Sequence, residues 1–307
     1  MRDKRWCGLL FIAGLAGALS ACSPEMSRET PKGVYHDKAA APPTAQQPAD
    51  GVQVGKASVL RNLVPAQTLE KQAAQQFQQL KQQVAAKKAL APDANPELIR
   101  LRAIADRIIP HAERFNPRAK DWQWEVILIG SNQINAFCMP GGKIAFFTGI
   151  LRQLQLTDDE VAMVMGHEIA HALREHAREQ AGKNVLTKIG AVGLSIVTGG
   201  QYDGLINAGA GLLSLTYSRS DEIDADVVGL DIAARAGYDP RAAVTLWQKM
   251  SAANKGAPPQ WLSTHPSGVN RIKEIQRQLP RVLPLYEKAQ KPPTPALRAK
   301  PPAPAKQ

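Results

Sequence analysis

Cysteine is scarce: the 307 residues contain only Cys7, Cys22 and Cys138. If Cys7 departs with a cleaved leader and Cys22 carries lipid, Cys138 stands alone and no intramolecular disulfide can form. The fold must then rest on its hydrophobic core. Apolar runs long enough to span a bilayer are also lacking. The uncharged run from Trp6 to Leu19 falls short of the roughly 18 residues needed, and so does each half of the apolar stretch Val185–Leu215, which Asp203 interrupts. No internal repeat is visible. A strong charge on the body of the chain is missing as well. Of the net +11, two charges lie in residues 1–21 and five in residues 280–307, which leaves +4 for everything between. So weakly basic a body argues against a nucleic-acid partner and fits a surface resting near anionic lipid or polymer. With 44% hydrophobic and 21% charged residues, a wholly disordered or fibrous chain is excluded.

What is present begins with a leader. Arg2, Lys4 and Arg5 precede the apolar run, a secretory pattern. It ends in Leu19-Ser20-Ala21-Cys22, which resembles a bacterial lipobox and implies cleavage before Cys22 and lipidation of its thiol; cleavage after Ala21 of an ordinary signal peptide is the alternative. Ser23, where an Asp would suggest inner-membrane retention, points by the same resemblance to an outer-membrane anchor facing the periplasm. The expected organisation is a signal peptide over 1–21, a lipidated flexible tether over 22–65, two amphipathic helices within 66–121, a catalytic domain over 122–279, and a disordered Pro/Lys-rich tail over 280–307.

Within that frame, Gln67–Ala89 and a segment opening at Asn95-Pro96 have helical spacing, and Pro110 ends or kinks the second. Trp122–Ile129, Ile134–Met139 and Lys143–Phe147 read as strands of a small antiparallel sheet, the last two joined by the turn Pro140-Gly141-Gly142. Helices are expected over Thr157–Gln180, across the apolar pair Val185–Leu215, and over Arg219–Ala236, Pro240–Asn254 and Gly268–Leu279. The fold class is α+β, mainly helical. Met163, Met165, Trp247 and Trp261 read as core. The apolar pair reads as a tight hairpin near the site or as a lid that touches membrane or unfolded substrate.

Chemistry is concentrated in Gly166-His167-Glu168-Ile169-Ala170-His171, an H-E-x-x-H pattern. On a helix His167 and His171 lie about 40° apart in projection and one turn apart along the axis, so both imidazoles can reach one Zn²⁺. Glu168 then faces the open side, where a carboxylate can take a proton from a metal-bound water. Thr157 and Glu160 form a capping box that starts this helix. A third donor is needed. His176 is nine residues from His167, about 180° round a continuous helix, and reads as a solvated helix-face residue. Glu222 and Asp226, four apart on a later helix, share a face; one can bind the metal while the other fixes a histidine through its second nitrogen. Asp224 falls about 200° from Glu222 and off that face.

These stretches, with Asn135-Ala136-Phe137, Thr148-Gly149, Ser218-Arg219 and Thr264-His265-Pro266-Ser267 followed by Arg271-Ile272, resemble metallopeptidase family forty-eight, the group of the CAAX prenyl endopeptidase and the HtpX-type and Oma-type proteases. The likeness covers about Trp122 to Leu279 and looks strongest to periplasmic lipoprotein members of the LoiP and β-barrel assembly-enhancing type. It implies a zincin-like (gluzincin) domain with one zinc, ligated by His167, His171 and Glu222, with Glu168 as general base and Asp226 behind a histidine. It also implies that Asn135 and Ala136 lie on an edge strand where substrate pairs. His265 could occupy the water site, hydrogen-bond the transition state or order its loop. The function so implied is cleavage of misfolded or misassembled envelope proteins, with a link to outer-membrane assembly machinery and a chaperone-like assembly factor as the alternative. Assembly-enhancing members carry a C-terminal domain of helical hairpins, in place of which this chain has a proline-rich segment.

Overall fold

The computed structural model describes residues 50–192, 215–253, 259–265 and 269–289. The expected leader, Cys22, most of the tether and the hairpin residues 193–214 lie outside them. Among the described residues no helix is long and apolar enough to cross a membrane.

The chain enters through a 3-10 turn, Val59–Leu63, and helix α1, Ala66–Ala86, which buries Leu69, Ala73 and Phe77 at four-residue spacing. Helix α2, Pro96–Ile108, starts where Asn95 Oδ1 accepts hydrogen bonds from the Glu97 and Leu98 amides. Past Ile108 the chain tightens into the 3-10 turns Ile109–Arg114 and Pro117–Asp121. Strands β1 (Glu125–Ile129), β2 (Ala136–Met139) and β3 (Lys143–Phe147) follow, in the order β1-β3-β2.

The sheet is mixed, not antiparallel as expected. β2 and β3 form the hairpin, but β1 runs parallel to β3 on its far side. Side-chain alternation is the same in both pairings, so it could not distinguish them. Gly141 and Gly142 take φ of +82° and +80° in the hairpin turn, and a Cβ at Gly142 would strike the Trp124 ring at 2.7 Å. Both faces of the sheet are covered. Ile127, Ile129, Met139 and Ala145 meet Ala73 and Phe77 of α1, whereas Val126, Leu128, Ile144 and Phe146 face the main core. β2 is left as an edge strand.

The helical layer comprises α3 (Thr148–Gln153), α4 (Asp158–Leu173), α5 (His176–Val192), α6 (Arg219–Arg235), α7 (Ala242–Ala253), α8 (Gln260–Thr264) and α9 (Val269–Lys288). The expected single helix over 157–180 is two. It breaks at Glu175, which adopts φ +59°, a left-handed conformation rare for a residue with a Cβ. The Asn116 side-chain amide donates to the Leu173 carbonyl at that end (3.0 Å), and Arg61 and Arg178 pair with the Glu175 carboxylate.

The tail assignment is likewise corrected. α9 runs through Pro280 and Pro284 to Lys288. Both prolines lie on the exposed face, four residues apart, so the backbone positions they disturb share one side. Val282 and Leu285 on the opposite side are buried in the main core. Residues 290–307 lie outside the described residues.

Two glycines set the spacing of α4 and α6. A Cβ on Gly166 would sit 2.8 Å from the Gly229 carbonyl oxygen, and one on Gly229 would sit 2.7 Å from the His167 nitrogen. The helices therefore touch backbone to backbone. Gly229→Ala is expected to force them apart and cost about 1–3 kcal/mol, measured by denaturant unfolding. Leu285→Ala should cost about 2–5 kcal/mol in the same measurement, where a solvated tail residue would cost nothing.

Candidate metal centre

The glycine contact carries α6 across α4 one residue before His167. α4 begins at the Thr157–Glu160 capping box, with both reciprocal hydrogen bonds formed. α6 begins at another, made by Ser218 and Asp221, which the sequence reading did not single out. Two turns before Gly229, α6 presents Glu222 to the histidines of α4. His265, the residue after α8, closes the group from a third side.

His167, His171, Glu222 and His265 are all buried, and their donor atoms converge. His171 Nε2 lies 3.1 Å from His167 Nε2, which lies 3.2 Å from His265 Nδ1. Glu222 Oε1 is 3.0 Å from His265 Nδ1 and 3.4 Å from His171 Nε2. Four donors around a tetrahedral zinc, each about 2.0–2.1 Å from it, stand about 3.3 Å from one another. Three imidazoles and one carboxylate are also the right donor types for zinc. On the first ring, Asp226 Oδ1 lies 3.0 Å from His167 Nδ1. A carboxylate accepts only, so the ring proton sits on Nδ1 and the Nε2 lone pair points inward.

A buried arginine holds the acidic residues. Arg271 donates Nε and Nη2 to Asp226 Oδ2 and Oδ1, both at 2.7 Å, donates Nη1 to Glu222 Oε2, and stacks over the Trp247 ring at 3.8 Å. Burial alone would raise the Asp226 carboxyl, but the Arg271 guanidinium holds it below the usual carboxylate range. For Glu222 burial is likewise overcome, by the three histidines, and its carboxyl titrates far below normal. Burial lowers both histidines, but Asp226 and Glu222 reverse the effect at His167 and raise it, whereas His171 stays well below the ordinary imidazole value.

Glu168 is buried beside the cluster. Its Oε1 accepts the Trp261 indole N–H at 2.6 Å and lies 3.5 Å from His265 Nε2. Trp261 is thus core and contact to the candidate base at once. Asn135, Ala136, Glu168, Tyr217 and His265 line one cavity beside the β2 edge. Tyr217 stacks on His171 with ring centroids 4.0 Å apart.

His176 is not the solvated residue expected. The break at Glu175 turns it inward, where it is buried with Nδ1 3.0 Å from His171 Nδ1. Asp224, off the Glu222 face as expected, reaches His176 Nε2 at 3.2 Å. The sequence reading missed the contacts of Arg271, Trp261, Tyr217, His176 and Asp224. Arg271 had a signal as a member of a stretch already singled out, and His176 and Asp224 were weighed by helical projection alone, which does not show what they touch.

The description "Peptidase family M48" matches residues 98–279 of the chain, a range that takes in all but the first two residues of α2. Among curated proteins, the chain is 42% identical over 151 residues to mitochondrial metalloendopeptidase OMA1 of Arabidopsis thaliana, covering 49% of this chain and 30% of that protein. It is 35% identical over 192 residues to the Homo sapiens metalloendopeptidase OMA1, covering 58% of this chain and 36% of that protein. To the β-barrel assembly-enhancing protease of Escherichia coli strain K12 it is 25% identical over 209 residues, 64% of this chain and 42% of that protein. The chain thus spans less than half the length of each of these relatives. It belongs to peptidase family M48, and zinc is the cofactor that its converging donors fit.

Proposed function

We propose that the chain is a zinc-dependent endopeptidase of the bacterial cell envelope that cleaves misfolded or misassembled proteins. The observation that carries this reading is the buried Glu168 carboxylate set beside four converging metal donors and an edge strand. In this reading His167, His171 and Glu222 hold the metal, and Asp226 orients His167. Zinc bound there would polarise the scissile carbonyl and acidify a water molecule. Glu168 takes the proton of the attacking water and passes it to the leaving amine. The Trp261 indole fixes one oxygen of that carboxylate and so limits its rotation. An extended peptide pairs along β2 from Asn135 and Ala136, through main-chain hydrogen bonds.

The envelope setting is supported by the leader and by Leu19-Ser20-Ala21-Cys22, which would anchor the protein in the outer membrane with its domain in the periplasm. A link to outer-membrane assembly machinery is supported by the likeness to the assembly-enhancing protease. The position of His265 favours a second reading. A working zinc peptidase keeps one coordination position open, and His265 Nδ1 stands where a fourth ligand would be. A chaperone-like assembly factor with latent proteolysis would have this arrangement at rest.

Glu168→Gln in the form lacking residues 1–22 should lower turnover of an unfolded protein substrate about 10²–10⁴-fold with zinc content unchanged; equal degradation by variant and wild type would remove Glu168 from the chemistry. His265→Ala should raise turnover while one zinc per chain is retained, measured by metal analysis beside the same assay. Unchanged turnover would leave His265 only the task of ordering its loop.

A further inference from the structure

The two histidines of H-E-x-x-H are supported unequally. His167 is backed directly by Asp226, whereas among the described residues His171 Nδ1 meets no carboxylate and has His176 as its neighbour. From His176 the contacts continue to Asp224 Oδ2, which also accepts from Arg174 Nε at 2.5 Å, and Arg174 Nη2 donates onward to the Gly55 carbonyl at 2.6 Å. We propose that His176 and Asp224 form a relay that fixes the tautomer and ring orientation of His171, so that His176 is a positioning residue for the metal centre. The inference rests on the reading of His171 as a ligand.

The direction of each bond follows from the far end. The Asp224 carboxylate can only accept, so His176 Nε2 carries the hydrogen and donates. His176 Nδ1 is then left with its lone pair and accepts from His171 Nδ1. With its hydrogen on Nδ1, His171 presents the Nε2 lone pair to the point where the donors converge. The opposite assignment would put a hydrogen on His171 Nε2, aimed at the metal position. It would also face the lone pair of His176 Nε2 with a carboxylate oxygen. Burial of His171 and His176 keeps water from taking over either role.

α6 thus supplies three carboxylates to one centre: Glu222 reaches the donors themselves, Asp226 backs His167, and Asp224 backs His171 through an inserted imidazole. The insertion has a geometric cause. Asp224 leaves α6 about 100° per residue away from its neighbours and misses the Glu222 and Asp226 face. The left-handed turn at Glu175 brings His176 into the gap.

The test compares zinc affinity, by competition with a chromophoric chelator, in wild type, His171→Ala, His176→Ala, His176→Gln and Asp224→Ala, with ¹⁵N NMR of the histidine rings in the metal-free proteins. Wild type should bind one zinc and His171→Ala should lose it. His176→Ala should bind about 10–100-fold more weakly, and its His171 ring should become a mixture of tautomers. His176→Gln keeps one acceptor and one donor and should recover most of the loss. Asp224→Ala should weaken binding in the same direction. Zinc affinity within twofold of wild type in folded His176→Ala overturns the relay and leaves the metal site standing. Equal loss in the Gln and Ala variants overturns it too, since ring packing alone would explain the effect. Failure of wild type to bind zinc overturns metal site and relay together.

Discussion

The centre depends on the backbone contact between α4 and α6 at Gly166 and Gly229. Side chains on two helices at ordinary spacing would hold the axes about 8–10 Å apart. Without a Cβ at either crossing point the helices come closer, and a side chain as short as Glu222 can meet His167 and His171. The glycines flank the chemistry on both helices: Gly166 precedes the first histidine, and Gly229 follows Asp226 by three residues. Arg271 then holds Glu222 and Asp226 from α9, and its pairing with both offsets part of the cost of burying two carboxylates.

Much of this is written locally in the chain. The H-E-x-x-H spacing put two imidazoles on one face, the Thr157–Glu160 box gave the helix its start, and the four-residue interval from Glu222 to Asp226 put both carboxylates within reach of one neighbour. Each rule needs only a regular helix of known beginning. The rules failed where regularity did. Helical projection from His167 placed His176 in solvent because it assumed an unbroken helix, and a glutamate at position 175 gives no warning of a left-handed turn as glycine or asparagine would. The proline-rich composition from Pro280 on reads as a solvated tail, yet its first residues continue a helix. α9 absorbs two prolines by keeping both on its solvent face while Val282 and Leu285 hold the other.

Long-range pairing was the least legible. The parallel run of β1 beside β3 leaves no trace in the alternation of β1. Arg271 lies in an amphipathic helix where an arginine ordinarily points to water, and Trp261 has the look of a simple core residue. In both cases the partner is a buried carboxylate far away in sequence, Asp226 or Glu168. A buried charge explains an arginine or an indole only after the fold has put the two together.

The wide separation of these partners along the chain bears on how the protein is made. His265 follows His167 by 98 residues and Arg271 follows it by 104. During synthesis the H-E-x-x-H helix therefore emerges long before the groups that complete its surroundings. A half-finished chain carries Glu168 and two of the four converging donors without the residues that surround them in the finished fold. The full set of contacts around the centre can form only once α9 has been made, because Arg271, which holds Glu222 and Asp226, lies there.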